Sequence, residues 1–240
     1  MQFSAETSAN GVIEREFSVG DVPGVLWSPT SGSAPLILMG HPGGLHKKTP
    51  ALVARAHHFV SNGFAVASID SPGHGDRPRS EQDEAWVASM LAARAAGQSI
   101  VPIVTEYNMS LSERAVPEWQ ATIDALEKLP DVGPIGYCGM TLATAIGIPL
   151  TAVDSRITAA VFGGVLVYDA LFEAARQVTV PLQFILPLHD DELPRDPGLA
   201  LFEAFASPAK TLHATPGNHF KVPWSETEDS THFFIRHLNL

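Results

Sequence analysis

The sequence has 240 residues, of which 45% are hydrophobic and 17% charged, so it is long enough to form a globular domain and too apolar for a disordered chain. Fifteen basic and 26 acidic residues give a formal net charge of −11. This balance argues against a nucleic-acid-binding protein, because neutralising a phosphate backbone requires clustered lysine and arginine. Cys138 is the single cysteine, which excludes an intrachain disulfide.

The predicted elements alternate between strand and helix after an N-terminal hairpin. That hairpin pairs residues 12–19 with residues 22–27 around Gly20 and Asp21. The later predicted strands cover residues 34–39, 64–69, 134–137, 157–162, 181–188 and 210–214. The predicted helices cover residues 50–62, 80–98, 115–129, 142–152, 169–177, 198–206 and 226–237.

Most strands after the hairpin are apolar along nearly their whole length, which is typical of strands that are covered by helices on both faces. Strands that alternate with helices over short connections form parallel sheets. We therefore expect an α/β fold with a mostly parallel sheet of about eight strands, in one domain that spans residues 1–240. A helical excursion over residues 81–109, which contains Trp86 and Met90, either packs on the core or shapes a pocket.

Four polar or glycine-rich clusters each follow closely on a predicted strand. They are residues 41–44 (HPGG), 139–143 (GMTLA), 190–191 (DD) and 216–219 (PGNH). Ligands of parallel α/β sheets bind beyond the carboxyl ends of the strands. The sequence therefore predicts one functional site at that edge of the sheet.

The segments around these clusters resemble the α/β-hydrolase family, in particular its small dienelactone-hydrolase-like esterases. Residues 40–48 (GHPGGLHKK) resemble the oxyanion loop, and residues 65–76 (AVASIDSPGHGD) resemble the strand and loop that follow it. Residues 135–143 (IGYCGMTLA) occupy the position of the nucleophile elbow. Residues 181–194 resemble the strand that carries the catalytic acid, and residues 213–223 resemble the loop that carries the catalytic histidine. The resemblance extends from about residue 12 to residue 240.

The resemblance implies a triad of Thr141 as nucleophile, His219 as base and Asp190 as the acid that orients the base. Asp190 fits the family pattern D-x-x-[VL]-P with Leu193 and Pro194, and Asp191 is the alternative acid. The backbone amides of Gly43 and Leu142 would form the oxyanion hole.

Threonine is unusual in this position, because the elbow holds its nucleophile at positive φ, where a β-branched residue is strained. The Thr141 methyl group also crowds the hydroxyl. Two alternatives therefore stay open. Cys138, in a G-x-C-x pattern, is a second candidate nucleophile, although Met140 is bulky for a tight turn there. The other alternative is a non-hydrolytic protein of this fold, either an isomerase, epimerase or lyase that uses His219 as a base, or a ligand-binding protein.

The expected activity is hydrolysis of a small carboxylic ester, lactone or thioester without a cofactor. No phosphate-binding or dinucleotide-binding glycine motif is present in the sequence, and the histidines lack zinc-ligand spacing, so we expect no metal. The polar N-terminus and the lack of a long apolar run predict a cytoplasmic protein without a membrane span. The expected partner is a small-molecule substrate, and a homodimer is compatible with the sequence.

Overall fold

The computed structural model describes residues 1–30 and 32–238, which form nine strands and seven α-helices around one sheet. The strands are β1 (Gln2–Ala9), β2 (Val12–Val19), β3 (Val22–Pro29), β4 (Ala34–Met39), β5 (Ala65–Ile69), β6 (Val132–Met140), β7 (Ile157–Gly163), β8 (Leu182–Pro187) and β9 (Lys210–Thr215). The helices are α1 (Pro50–Ser61), α2 (Glu81–Ala95), α3 (Val101–Leu126), α4 (Leu142–Val153), α5 (Asp169–Ala175), α6 (Arg195–Ala204) and α7 (Ser225–His237). Residues 239 and 240, to which the predicted domain and the family resemblance extend, lie outside the described residues.

The sheet has the strand order β1-β2-β3-β5-β4-β6-β7-β8-β9. Pairing is antiparallel from β1 through β2 and β3 to β5, and parallel from β5 through β4 to β9. The predicted α/β class with a mostly parallel sheet is confirmed. The carboxyl ends of β4 to β9 therefore meet at one edge, where all four predicted clusters begin within three residues of a strand end.

The sheet has one strand more than predicted. All eight residues of β1 are exposed, because this strand pairs only with β2 and lies at the margin of the sheet. Hydrophobic alternation, which predicted the other strands, arises from burial of one face. The sequence QFSAETSA carries no such signal, since neither of its faces is buried.

Apolar layers cover both faces of the sheet. One layer packs against α3, α4, α5 and α6, and the other packs against α1 and α7. Helix α4 is buried at nine of its twelve residues, because it lies between β6 and its neighbours α3 and α5. This burial fixes the N-terminus of α4 against the sheet edge.

The region between β5 and α4 differs most from the prediction. Helix α3 begins at Val101 rather than at residue 115 and continues through Pro117. Tyr107, Leu111 and Ala115, spaced four residues apart, are buried and extend the apolar face of α3 towards its N-terminus. Helix α2 starts with a capping box between Ser80 and Asp83.

The helices of residues 1–30 and 32–238 include none that is both long and apolar enough to cross a lipid bilayer.

Candidate active site

Thr141 forms the sharp turn between β6 and α4. Its φ is 55° and its ψ is −117°, and among the described residues other than glycine only Asn10 shares a positive φ. A β-branched residue in this conformation costs on the order of 1–3 kcal/mol, so the surrounding structure must impose it. Positive φ at a strand-to-helix turn is the backbone geometry that the sequence predicted for a nucleophile elbow.

Close packing imposes this turn. A Cβ atom added at Gly139 would lie 2.8 Å from the backbone carbon of Ala143, and one added at Gly40 would lie 2.6 Å from the Cβ of Ala143. Both distances are shorter than carbon atoms tolerate, so only glycine lets β6, β4 and the start of α4 approach this closely. The buried Tyr137 hydroxyl also donates a hydrogen bond to the Ala143 carbonyl at 2.7 Å.

Hydrogen bonds to Gly163, the last residue of β7, hold the elbow in register. The Thr141 amide donates to the Gly163 carbonyl at 3.1 Å. The buried Thr144 hydroxyl accepts a hydrogen bond from the Gly163 amide at 3.0 Å and lies 2.8 Å from the carbonyl oxygens of Gly139 and Gly163. With one hydroxyl proton, Thr144 donates to one of these carbonyls at a time.

Asp190 and His219 form a hydrogen-bonded couple. The Asp190 Oδ2 lies 2.6 Å from both the backbone amide and the Nδ1 of His219, while Oδ1 accepts from the amides of Glu192 and Leu193 at 2.9 and 3.0 Å. Burial alone would raise the pKa of Asp190, but these hydrogen bonds outweigh it and lower the pKa below its usual value. Asp190 is therefore ionised at neutral pH. It holds the proton of a neutral His219 on Nδ1 and leaves Nε2 free to accept a proton.

The residues at the end of β7 bring the elbow close to this couple. Gly163 bonds the Thr141 amide, and its neighbour Gly164 adjoins the histidine, since a Cβ atom added at Gly164 would lie 3.2 Å from the His219 Cβ. Thr141 and His219 thus flank the Gly163–Gly164 dipeptide, although they are 78 positions apart in the sequence. Three residues of the predicted triad are gathered at one edge of the sheet.

The predicted oxyanion loop faces the elbow. Gly43 is exposed, and a Cβ atom added there would lie 3.8 Å from the Leu142 Cβ. Within residues 1–30 and 32–238, neither the Gly43 amide nor the Leu142 amide donates a hydrogen bond. Two neighbouring amides without acceptors can bind an oxyanion.

His41 orients the first of these amides. Its Nε2 accepts a hydrogen bond from the Ser71 amide at 3.0 Å, so its Nδ1 carries the proton and donates to the Pro42 carbonyl at 2.9 Å. The C=O and N–H of one trans peptide point in opposite directions. By fixing the Pro42 carbonyl, His41 directs the Gly43 N–H away from its own ring. Burial lowers the pKa of His41 to about 4, which keeps the ring neutral.

A buried ion pair, which the sequence did not predict, ties the oxyanion loop to the loop after β5. Asp70 is fully buried and accepts hydrogen bonds from the Lys47 amide at 2.8 Å and the Lys47 Nζ at 2.7 Å. Burial would raise the pKa of Asp70, but the hydrogen bonds from Lys47 and from the Asp76 amide lower it. The only signal in the sequence is an aspartate directly after an apolar strand, in the segment 65–76 that resembles the strand and loop after the oxyanion loop.

A cavity of about 300 Å³ opens beside the oxyanion loop. It is lined by Gly44 and Leu45, by residues of the 73–79 loop, including His74 and Arg79, and by Glu84 of α2. The His74 ring stacks on Tyr107, which in turn packs against Trp86 of α2. The predicted excursion over residues 81–109 thus lies next to this cavity.

The hydroxyl of Thr141 does not face solvent in this structure. Oγ1 is enclosed and has no hydrogen-bond partner among the described residues, although Thr141 as a whole is partly exposed. The accessible surface of Thr141 therefore belongs to its other atoms. For the hydroxyl to bond to a substrate, its enclosure must open, either by rotation about χ1 or by movement of the groups that cover Oγ1.

The alternative residues lie in less suitable surroundings. Cys138 is inside β6, three residues before the elbow, and packs on the apolar layer under α1 and α7. Burial raises the pKa of its thiol to about 11, which disfavours the thiolate that a cysteine nucleophile requires. Asp191 is exposed, whereas the carboxylate that contacts His219 is that of Asp190.

Several solved structures are similar to this chain over its whole length. A cold-adapted esterase from an Arctic intertidal metagenomic library, solved as a PEG-bound complex, is 30% identical, with 99% of this chain and 100% of that chain covered and a TM-score of 0.79. The chain belongs to the α/β-hydrolase-type esterases. A zinc-bound structure of a cold-adapted esterase from such a library is 28% identical, with the same coverage and a TM-score of 0.77.

More distant esterases share the fold alone. Est1E from Butyrivibrio proteoclasticus, solved with bound ferulic acid, is 14% identical, covers 99% of this chain and 100% of its own, and has a TM-score of 0.70. No protein-family model and no curated protein sequence matches the chain.

Proposed function

We propose that this esterase cleaves small carboxylic esters, lactones or thioesters through an acyl-enzyme on Thr141. Asp190 and His219 act as the relay, and the amides of Gly43 and Leu142 bind the oxyanion. The observation that carries this proposal is the strained, positive φ of Thr141 at a strand-to-helix turn whose neighbouring strand end, Gly163–Gly164, adjoins His219. Strain of this kind clusters at functional sites.

The proposed reaction has two steps with balanced proton transfers. In the first step the Thr141 Oγ1 bonds to the substrate carbonyl carbon while His219 Nε2 takes the hydroxyl proton. The carbonyl oxygen becomes an oxyanion that accepts hydrogen bonds from the two amides. Collapse of this intermediate breaks the bond to the leaving group, which receives the proton from His219. In the second step a water molecule, deprotonated by His219, attacks the acyl group. The bond to Thr141 Oγ1 then breaks and Oγ1 receives the proton from His219, which releases the acid and restores the threonine hydroxyl.

Thr141 limits this chemistry in two ways. The hydroxyl must first become accessible, because Oγ1 is enclosed. Its methyl group then lies beside the carbonyl that is attacked, both when the threonine is acylated and when water attacks the acyl-threonine. We therefore propose a slow reaction with a narrow substrate range, restricted to acyl groups that fit the cavity next to the oxyanion loop. The helical region over residues 81–109 would shape this cavity.

The enclosed hydroxyl also favours a second candidate function. If the Thr141 hydroxyl stays enclosed, the protein lacks a nucleophile, yet His219 still has a free Nε2 and an ionised partner in Asp190. A base of this kind next to two unoccupied amides would support proton abstraction beside a carbonyl group, as in an isomerase, epimerase or lyase.

Hydrolysis of short p-nitrophenyl esters and thioesters by the wild type, T141A, T141S and C138S tests the proposal. We expect activity in the wild type, loss of about 10³-fold or more in T141A, and wild-type rates in the control C138S. T141S should exceed the wild type, because serine lacks the crowding methyl group. Undiminished activity in T141A would contradict the proposal. A wild type without activity beside an active T141S would favour the second candidate function.

A further inference from the structure

A mixed set of nitrogen and oxygen donors lies at the base of the histidine loop, away from the triad. His213 of β9 faces Glu226 and Asp229, which are three residues apart on the first turns of α7. The His213 Nδ1 is 2.9 Å from Glu226 Oε2 and 3.9 Å from Asp229 Oδ2, and one ligand atom of each residue lies within 4.8 Å of the others. Imidazole and carboxylate are ordinary zinc ligands.

The two carboxylates of this set share a single hydrogen-bonding nitrogen. The Nδ1 of His213 carries at most one proton, and Glu226 accepts it, whereas Asp229 at 3.9 Å is beyond hydrogen-bond reach. Two carboxylates therefore converge on one imidazole nitrogen. The Glu226 side chain is only 13% exposed, so solvent screens its charge weakly. A divalent cation would neutralise both carboxylates, and the net charge of −11 also attracts cations.

The spacing of the three donors suits a first-row transition metal. Ligands bound about 2.1 Å from a tetrahedral zinc ion lie about 3.4 Å from one another. The two observed distances bracket this value, so small side-chain movements would place all three atoms on one ion. Binding requires an unprotonated Nδ1, which means that the imidazole proton moves to Nε2. Water would fill the remaining coordination position.

We propose that His213, Glu226 and Asp229 bind a divalent transition-metal cation such as Zn²⁺, which clamps β9 to α7. This departs from the sequence-based expectation of no metal, since the three residues become neighbours only in the fold. The clamp closes the segment from residue 214 to residue 225, which carries His219. A bound ion thus restrains the loop of the proposed base without contacting the triad. The inference is independent of the nature of the nucleophile.

Calorimetric titration of zinc into EDTA-treated protein without a histidine tag tests the site. We expect one saturable Zn²⁺ per wild-type chain, with affinity weakened at least about tenfold in H213A and E226Q. The matched control H232A removes an exposed histidine of the same helix and should bind like the wild type. D229N should also bind zinc more weakly than the wild type. Because Asp229 is exposed, this variant still tests the site if H213A fails to fold.

Hydrogen exchange gives a second readout. Zinc should slow amide exchange in residues 214–225 of the wild type and of H232A, but not of H213A. Cobalt absorption in the visible range should appear with the same residue dependence. Absence of binding to the wild type, or equal binding to wild type, H213A and E226Q, would overturn the proposal, because the cation would then bind elsewhere or not at all.

Discussion

Replacement of Asp190 by asparagine should separate the role of this carboxylate from that of its neighbour. Four N–H groups point at the two Asp190 oxygens: those of Glu192 and Leu193, the His219 amide and the His219 Nδ1. Asparagine offers one acceptor oxygen and an NH₂ group that donates. Whichever way the amide is turned, two of the four donors then face another donor.

Both activity and stability should fall. If the amide NH₂ faces His219, the proton of the neutral imidazole moves to Nε2, the position that must accept the nucleophile's proton. In triads of this type such a change costs about 10⁴-fold in kcat. The hydrogen bonds to Asp190 are exposed or partly buried, and one to a charged acceptor contributes about 1.5–3 kcal/mol, so the loss of one or two should cost D190N about 1.5–6 kcal/mol of unfolding free energy.

The assay is kcat/KM on a short p-nitrophenyl ester together with urea denaturation at pH 7. D191N is the matched control, because Asp191 adjoins Asp190, carries the same charge and is exposed. It should retain wild-type kinetics and change stability by no more than about 0.5 kcal/mol. Activity of D190N within tenfold of the wild type would refute the relay, and a large loss in D191N would transfer the role to Asp191.

Three further predictions concern the surroundings of the site. The pKa of His41 is lowered from 6.5 to about 4, so its neutral ring contributes fully to stability above pH 6.5, and about 3 kcal/mol of this contribution is lost as the pH falls from 6.5 to 4. Denaturation curves of H41Q should lack this pH dependence of about 3 kcal/mol over that range. Equal pH dependence in H41Q and the wild type would contradict the prediction. G164A should lower kcat and reduce the unfolding free energy by about 1–3 kcal/mol, because φ is +50° and the added Cβ would press on the histidine loop. The control G97A has a φ of +65° and open space around the added Cβ, so it should lose stability without losing kcat. Equal kinetics in the two variants would contradict the prediction. K47M leaves the fully buried Asp70 without its cation, so it should reduce the unfolding free energy, measured by heat or urea, by about 3–5 kcal/mol. A loss smaller than that caused by breaking an exposed ion pair would contradict a stabilising role for this buried pair.

Most of the fold could be predicted from the sequence because the central strands β4, β5, β7 and β8 are buried on both faces. Helix α4 was predicted to within one residue, since Thr141 precedes an apolar run that Asp154 ends. The start of α3 was misplaced by 14 residues. The spacing of Tyr107, Leu111 and Ala115 is helical, but polar and charged residues lie between them, and Pro117 suggests a break that the helix does not make.

Some parts of the site could likewise be predicted from the sequence and others could not. The elbow, the acid and the histidine each follow a strand and can be identified from short motifs. By contrast, the Lys47–Asp70 pair, the Gly163–Gly164 dipeptide next to His219 and the His213 cluster join residues that are distant in the sequence. No local pattern marks such contacts, because they depend on which strand ends are neighbours in the sheet. The enclosure of the Thr141 hydroxyl depends on side-chain packing in the fold, which local sequence patterns do not encode.

The most direct test of the central claim is mass spectrometry of the protein after acid quenching during turnover of p-nitrophenyl acetate. We predict a single acetyl adduct, carried by the peptide that contains Thr141, which is absent in T141A and accumulates in a variant slowed at deacylation. Turnover that continues undiminished in T141A, or an acetyl group on Cys138 instead, would contradict Thr141 as the nucleophile.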